Sequence, residues 1–589
     1  MLKRFFISML GTVAGIWVAI TLAVIGGIMV AGVAIGSAGD SAVKVERGSI
    51  LYFDLSGNIA ERAQKQNFFA LIQNIDNDTP TLDDMIRALD LAADDKDIEA
   101  LYLYCGGSGM GTASREELLQ AIVEFRQASG KPVIAYADSY TQGDYLLASA
   151  ADSIFLNPMG AVDIHGVGAM VPFYKGLLDK AGVKMQIVKV GTFKSAVEPY
   201  ILNSMSEPAR LQMQQYVDSI WGFTYGAIAA NRHIQADSIR IWASDVMATW
   251  QAPEFVNDGL ADNLLYERQV ENYLKDITDI DSDKELRFIT PRDYLSARPR
   301  SESSPERDHI AVYYCVGDIV DAGEEGISGA VVPGDIVKLA DNKKVHGLVL
   351  RVNSGGGSAF ASEQIWEALQ YFKSKGKPFY VSMGDYAASG GYYISCGADT
   401  IFADATTLTG SIGVFGMIPD FSGLVTDKLG VTFSTVQSNP NAVGLSAVAP
   451  MTPSMAAAMQ RSVENTYDLF TRRVAEGRGM TQDEVKAIAE GRVWVGSKAV
   501  ELGLVDHLGS LQEAIYAMAY DLDMDPDHAV RYPRVDEKIW ERIIREAGGM
   551  DAVKAYAGLD EETLRMLSIV KSLREMNPVQ ARMESVTVE

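Results

Sequence analysis

The chain has 589 residues, 48% of them hydrophobic, which excludes a disordered chain and leaves room for about two to four ordinary domains. Its formal net charge of −25, with no basic stripe, excludes a nucleic-acid partner, because a polyanion is held by clustered Lys and Arg. Cys105, Cys315 and Cys396 lie in apolar, strand-like runs without CxxC or Cys/His spacing, so neither a disulfide framework nor a metal site is expected.

At the amino terminus, Lys3 and Arg4 precede an uncharged stretch from Phe5 to Gly39, longer than the roughly 20 residues a helix needs to cross a bilayer. A cleavable signal peptide carries an apolar core of only about 7–15 residues, so residues 1–40 read as a retained transmembrane anchor. Positive residues on the short side place the bulk of the chain across the membrane. In a bacterial cell that is the periplasmic side of the inner membrane.

Beyond the anchor the chain repeats itself. LYLYCGGSGMGTASREELLQAI from Leu101 aligns without gaps on LVLRVNSGGGSAFASEQIWEAL from Leu348, an offset of 348 − 101 = 247. Each run predicts a strand, a glycine-rich turn and an amphipathic helix. The same offset pairs GDYLLASAADSIF from Gly143 with GGYYISCGADTIF from Gly390. Further on, Trp250, Gly259, Leu260 and Asp262 match Trp494, Gly503, Leu504 and Asp506 at 494 − 250 = 244. Two homologous domains are predicted, residues 45–276 and 309–522, joined by a proline-bearing linker, 277–308. Strands alternating with helices predict an α/β fold with mainly parallel sheets. A charged tail, 523–589, contains IWERIIREA and predicts one or two further helices.

The two copies diverge where chemistry is expected. TTLTGSIGVFG from Thr406 pairs with MGAVDIHGVGA from Met159, so Ser411 stands opposite Ile164. Gly410 and Gly413 flank Ser411 and predict a tight turn that presents its hydroxyl at a helix start, as several hydrolase folds expose a nucleophile. Taken alone, the same residues suit a plain turn or cap. RVNSGGGS, Arg351 to Ser358, offers consecutive unobstructed backbone N–H groups of the kind that stabilise an oxyanion, and lacks the GxxxxGKS/T spacing of a nucleotide loop.

A serine nucleophile needs a base. No histidine falls beside Ser411 in motif order, and His165, next to Ile164, reads as a relic or a packing residue. Lysine is the alternative. Lys194 in VGTFKSAVEPY lies between the apolar strand MQIV and a helix beginning near Pro208, and the matching second-half stretch VQSNPNAVGLSAV has no lysine. To accept a proton near neutral pH a lysine must fall from a pKa of about 10.4 to about 7–8, which costs roughly 4 kcal/mol and demands a dry, partly buried site. Without such a site Lys194 is one surface lysine among many.

KSAVEPY from Lys194, AANRHI from Ala229, RVNSGGGSAFASE from Arg351, YAASGGYYIS from Tyr386, LTGSIGVFG from Leu408 and RVWVGSKAVELGLVD from Arg492 together resemble the long, duplicated form of the signal peptide peptidase A (protease IV) family. The resemblance implies a tandem duplication of Clp protease/crotonase-like domains. It implies Ser411 as nucleophile, Lys194 as base, the backbone of Gly356 and Gly357 as oxyanion contacts, and Ser389 of YAASGG as a group that orients Lys194 or a plain turn hydroxyl. The family usually has proline where this chain has Gly355, a change that loosens the loop without removing its donors. Also implied are a homotetramer seated on the lipid bilayer, hydrophobic peptide substrates such as signal-peptide remnants, and no cofactor. An acyl-CoA enzyme on the same scaffold and a catalytically inactive membrane scaffold are the rival readings.

Overall fold

The computed structural model describes residues 44–62, 81–299, 304–323, 326–532 and 579–583. The predicted anchor, residues 1–40, and the IWERIIREA segment lie outside them. Among the described residues no helix is long and apolar enough to cross a membrane.

The first half supplies strands β1 (Ser49–Asn58), β2 (Ile98–Gly109), β3 (Val133–Ala137), β4 (Ser153–Leu156), β5 (Lys184–Val190), β6 (Asn263–Leu264) and β7 (Phe288–Ile289). All but β5 form one sheet in the order β6-β4-β3-β2-β1-β7, with every pairing parallel; β7 corrects the expected linker 277–308, because Ile289 and Tyr294 are buried in the first half's core. Such a sheet is covered on both faces, which is why its strands read as near-continuous apolar runs rather than alternating ones. In β2, Leu101 and Leu103 pack on one side, Ala100 and Tyr102 on the other. Helices Thr112–Ser129 and Leu82–Asp94 cover the first of these faces, and Gly130, at φ 66°, ends the former in a left-handed cap at the GKP turn.

The second half repeats the plan with β8 (His309–Val316), β9 (Ile319–Val320), β10 (Ile327–Ser328), β11 (Val345–Ser354), β12 (Gly356–Ser358), β13 (Phe379–Ala388), β14 (Thr400–Ala403), β15 (Leu408–Gly410), β16 (Val414–Asp420), β17 (Val493–Val495), β18 (His507–Leu508), β19 (Ala529–Tyr532) and β20 (Val579–Arg582). Its main sheet runs β17-β15-β13-β11-β8-β19, with β14 beside β13, β18 beside β14, and only β17 antiparallel. The duplicated, mainly parallel α/β architecture matches the expectation. The tail differs from its expected helices in the parts the structure describes: AVRY extends the main sheet as β19, and residues 579–582 are a strand. Valine and tyrosine in AVRY favour a pleated, half-buried surface over a helix.

A third sheet, β10-β9-β12-β20-β16-β5, belongs to both halves. Here β5 of the first half runs antiparallel to β16 of the second in unbroken register from Val190↔Val414 to Lys184↔Asp420. A buried ionic layer completes the junction. Arg351, 0% exposed, donates to Glu117 at 2.6 and 3.1 Å, to Glu61, and to Ser382 Oγ at 2.8 Å. Asp83 accepts from Arg531 at 2.7 Å and from the Tyr314 hydroxyl at 2.9 Å. Charges removed from water in this way demand partners of matching geometry, so the layer specifies how the halves meet.

Candidate active site

Ser411 lies in the turn between β15 and β16, at φ 49°, a left-handed conformation uncommon for a residue with a side chain. Its N–H donates to Arg492 O at 2.7 Å, which pins the turn from behind. The expected helix start is therefore corrected: the chain leaves Ser411 directly into β16, because the hydrophobic run VFGMIPD is claimed by the ladder with β5. The serine is still on a tight, glycine-flanked turn, with Gly410 at φ 79°.

Lys194 follows β5, in the segment between that strand and helix Glu207–Arg232. The ladder between β5 and β16 carries it across the junction to the second half's serine turn. Its Nζ lies 3.0 Å from Ser411 Oγ, 2.8 Å from Ser389 Oγ and 3.2 Å from Ser411 O. Lys194 is 1% exposed, Ser411 2% and Ser389 0%, so the three meet in the dry setting that a lysine base requires. Both members of the pair come from one chain. Ser389, at φ 56°, opens helix Gly390–Ser395, and its N–H donates to Gly410 O at 2.8 Å, tying it to the same turn.

Two further residues hold this arrangement and were not singled out in the sequence. Gln212 donates to Phe193 O at 3.2 Å and to Ser195 Oγ at 2.9 Å, while its Oε1 accepts from Val493 N at 3.3 Å. It thus clamps both sides of Lys194 to the second half. Gly491 lies against Lys194 so closely that a Cβ there would fall 2.7 Å from Lys194 Cβ, at φ 77°. The repeat carried a signal for it: Met247 stands opposite Gly491, since 491 − 244 = 247.

The glycine-rich turn forms β12. Gly356 N donates to Ser354 Oγ at 3.1 Å, and Gly356 and Gly357 pair with β20, which on its other side pairs with β16. Helix Ala359–Ser374 begins at once after this turn, capped by Ser358 Oγ. In the first half the start of the glycine turn is closed by a carboxylate. Gly107 and Ser108, aligned with Ser354 and Gly355 (107 + 247 = 354), donate their N–H groups to the buried Asp144 carboxylate at 2.9 and 3.1 Å. Gly109 and Met110, the residues aligned with Gly356 and Gly357, come just after this contact, and Ile164 stands where the second half has its serine. His165 is exposed and faces Asp163 at 3.3 Å.

Cys105, Cys315 and Cys396 are buried and form no disulfide, and burial pushes the thiols of Cys315 and Cys396 up to about 12. A thiol held protonated is a poor nucleophile. Among the described residues no group of His, Cys, Asp and Glu could hold a metal ion.

The family model described as peptidase family S49 matches twice, at residues 125–281 and 371–525. The chain is similar to "Protease 4" of Haemophilus influenzae, at 38% identity over 460 residues, 76% of this chain and 74% of the relative. It is 35% identical over 497 residues to "Protease 4" of Salmonella typhi, covering 81% of this chain and 79% of that one. "Serine protease SPPA, chloroplastic" of Arabidopsis thaliana is 27% identical over 480 residues, 80% and 69% of the two chains. Among solved structures, a point mutant of ClpP1 from Listeria monocytogenes overlaps 37% of this chain and 98% of its own at 12% identity, with a TM-score of 0.25, too low to define a shared fold.

Proposed function

The chain belongs to peptidase family S49 and is a serine protease, and from that premise we propose that Ser411 is its nucleophile and Lys194 its general base. The observation that carries this reading is the 3.0 Å contact between Lys194 Nζ and Ser411 Oγ, formed where water is excluded. Lys194 takes the Ser411 proton as Oγ attacks a peptide carbonyl, then passes it to the departing amine. Water, deprotonated by the same lysine, releases the acyl-enzyme. Ser389 holds the lysine in line, and backbone N–H groups of the Gly356–Gly357 turn receive the oxyanion, each such donor being worth about 3–4 kcal/mol in related reactions.

Ser411→Ala and Lys194→Ala are each expected to abolish hydrolysis of a fluorogenic apolar peptide while leaving the thermal unfolding transition in place. Activity retained by either variant overturns the dyad.

The substrates in this reading are hydrophobic peptides, signal-peptide remnants among them. The reading adds a homotetramer held at the periplasmic face of the bacterial inner membrane by residues 1–40. It rests on the uncharged stretch from Phe5 to Gly39 and on the sharing of one bilayer surface by enzyme and apolar peptide. Carbonate extraction of membranes, with protease shaving of spheroplasts, checks the anchor and its side. Light scattering of the detergent-solubilised chain checks the subunit number.

A further inference from the structure

The third sheet contains a strand from outside both repeated domains. β12 and β16 are not neighbours: β20, from the carboxyl-terminal end of the chain, lies between them. On one side it pairs Arg582 with Gly356, Ala581 with Gly357 and Gln580 with Ser358, and on the other Gln580 with Phe415 and Val579 with Gly416, antiparallel to both. Removing it would leave two facing strand edges with unpaired N–H and C=O groups, a template for one added strand.

The direction of this strand is informative. Register proceeds from Val579 opposite Gly416 toward the start of β16, which is the Ser411 end, so each successive residue approaches the dyad. At Met583 the backbone N–H donates to Gly355 O at 2.8 Å, on the glycine turn. The Met583 side chain, 8% exposed, sits in an apolar cluster with Met213, Tyr216, Ala388, Leu408 and Val495. Ala388 and Leu408 belong to the strands that carry Ser389 and Ser411. Arg582 is held from outside by Asp318 at 2.9 Å. On its other side Gly357 of β12 packs on β9 so closely that a Cβ would fall 2.0 Å from Ile319 O.

We propose that residues 579–583 are a tethered peptide that occupies the substrate cleft in the direction of a substrate, with Met583 in the pocket for the residue preceding the cleaved bond. This rests on the peptidase reading above. Any substrate must displace the tether, and the pocket accepts a large, flexible apolar side chain.

The test compares the full chain, the full chain carrying Met583→Asp, and a chain ending at Pro578, on a short fluorogenic apolar peptide. Both altered chains are expected to show KM lowered about tenfold or more at unchanged kcat, because a segment held on the same chain acts at roughly millimolar effective concentration. Added VQARM peptide is expected to inhibit the shortened chain competitively. One KM for all three chains, with no competition by VQARM, overturns the proposal. Anisotropy of fluorescein-labelled VQARM on the shortened chain carrying Ser411→Ala separates the two readings. Binding there, with no hydrolysis by the unaltered chain, keeps the tether and sinks the peptidase assignment; hydrolysis without binding or KM change does the reverse.

Discussion

Lys194 Nζ lies within hydrogen-bond reach of Ser411 Oγ, Ser411 O and Ser389 Oγ, so the proposed nucleophile's hydroxyl shares the lysine with other oxygens. Ser389 is a positioning residue in this geometry: its hydroxyl accepts from Lys194 Nζ at 2.8 Å and acts on the reaction through that lysine. Ser389→Ala is therefore expected to lower kcat by ~10–100-fold with KM little changed, the loss of one hydrogen bond to a buried charged or charge-accepting group. The pH at which kcat rises is expected to move in Ser389→Ala and to return in Ser389→Thr. A merely structural serine would leave that profile in place. Gly491→Ala strains both a left-handed backbone position and the 2.7 Å approach to Lys194 Cβ, and is expected to cost about 1–3 kcal/mol of stability together with most of the activity.

At the scale of elements, the junction between the halves is ionic as well as β-paired. Burial would raise the Asp83 carboxyl, yet Arg531, Arg87 and Arg62 outweigh it and hold it well below the usual carboxylate range. A carboxyl held low in the fold adds stability that is present above its unfolded pKa of about 3.9 and is lost as the pH falls below it. Asp404 behaves oppositely, because burial, then Glu117 and Glu116, push it well above its ordinary value; its contribution is present in acid and declines as the pH rises above about 3.9. Urea titrations are expected to show Asp83→Asn destabilised at pH 7 and less sensitive than the unaltered chain to a fall from about pH 5 to pH 3. Arg351→Met leaves Glu117 and Glu61 buried without their cation and is expected to cost about 3–5 kcal/mol, read as a shifted urea midpoint at unchanged slope.

Across the whole molecule, one site is built from two unequal copies. The first half has Ile164 where the second has Ser411 and closes its glycine turn with Asp144, while the second half has no lysine in the stretch that matches Lys194. Residues 304–589 expressed alone are expected to hydrolyse no peptide, and adding the first half in trans restores activity only if β5 pairs with β16 again. Peptidase assays on the separate and mixed halves check this.

The duplication, the mainly parallel α/β plan and the candidates Ser411 and Lys194 were legible in the sequence, because repeat offsets and apolar runs are local and because divergence between copies marks what each half has kept. Three things were decided only in three dimensions. Ser411 sits on a strand-to-strand turn because β16 is claimed by β5, a pairing that spans 414 − 190 = 224 residues. Gln212 and the Arg351 layer act through partners from the other half, which no local pattern announces. The strand at residues 579–582 exists because two facing edges, β12 and β16, supply its hydrogen bonds. Local propensity and periodicity belong to a segment, whereas a strand's partner and a buried charge's counterion are set by whatever the rest of the chain brings within a few ångströms.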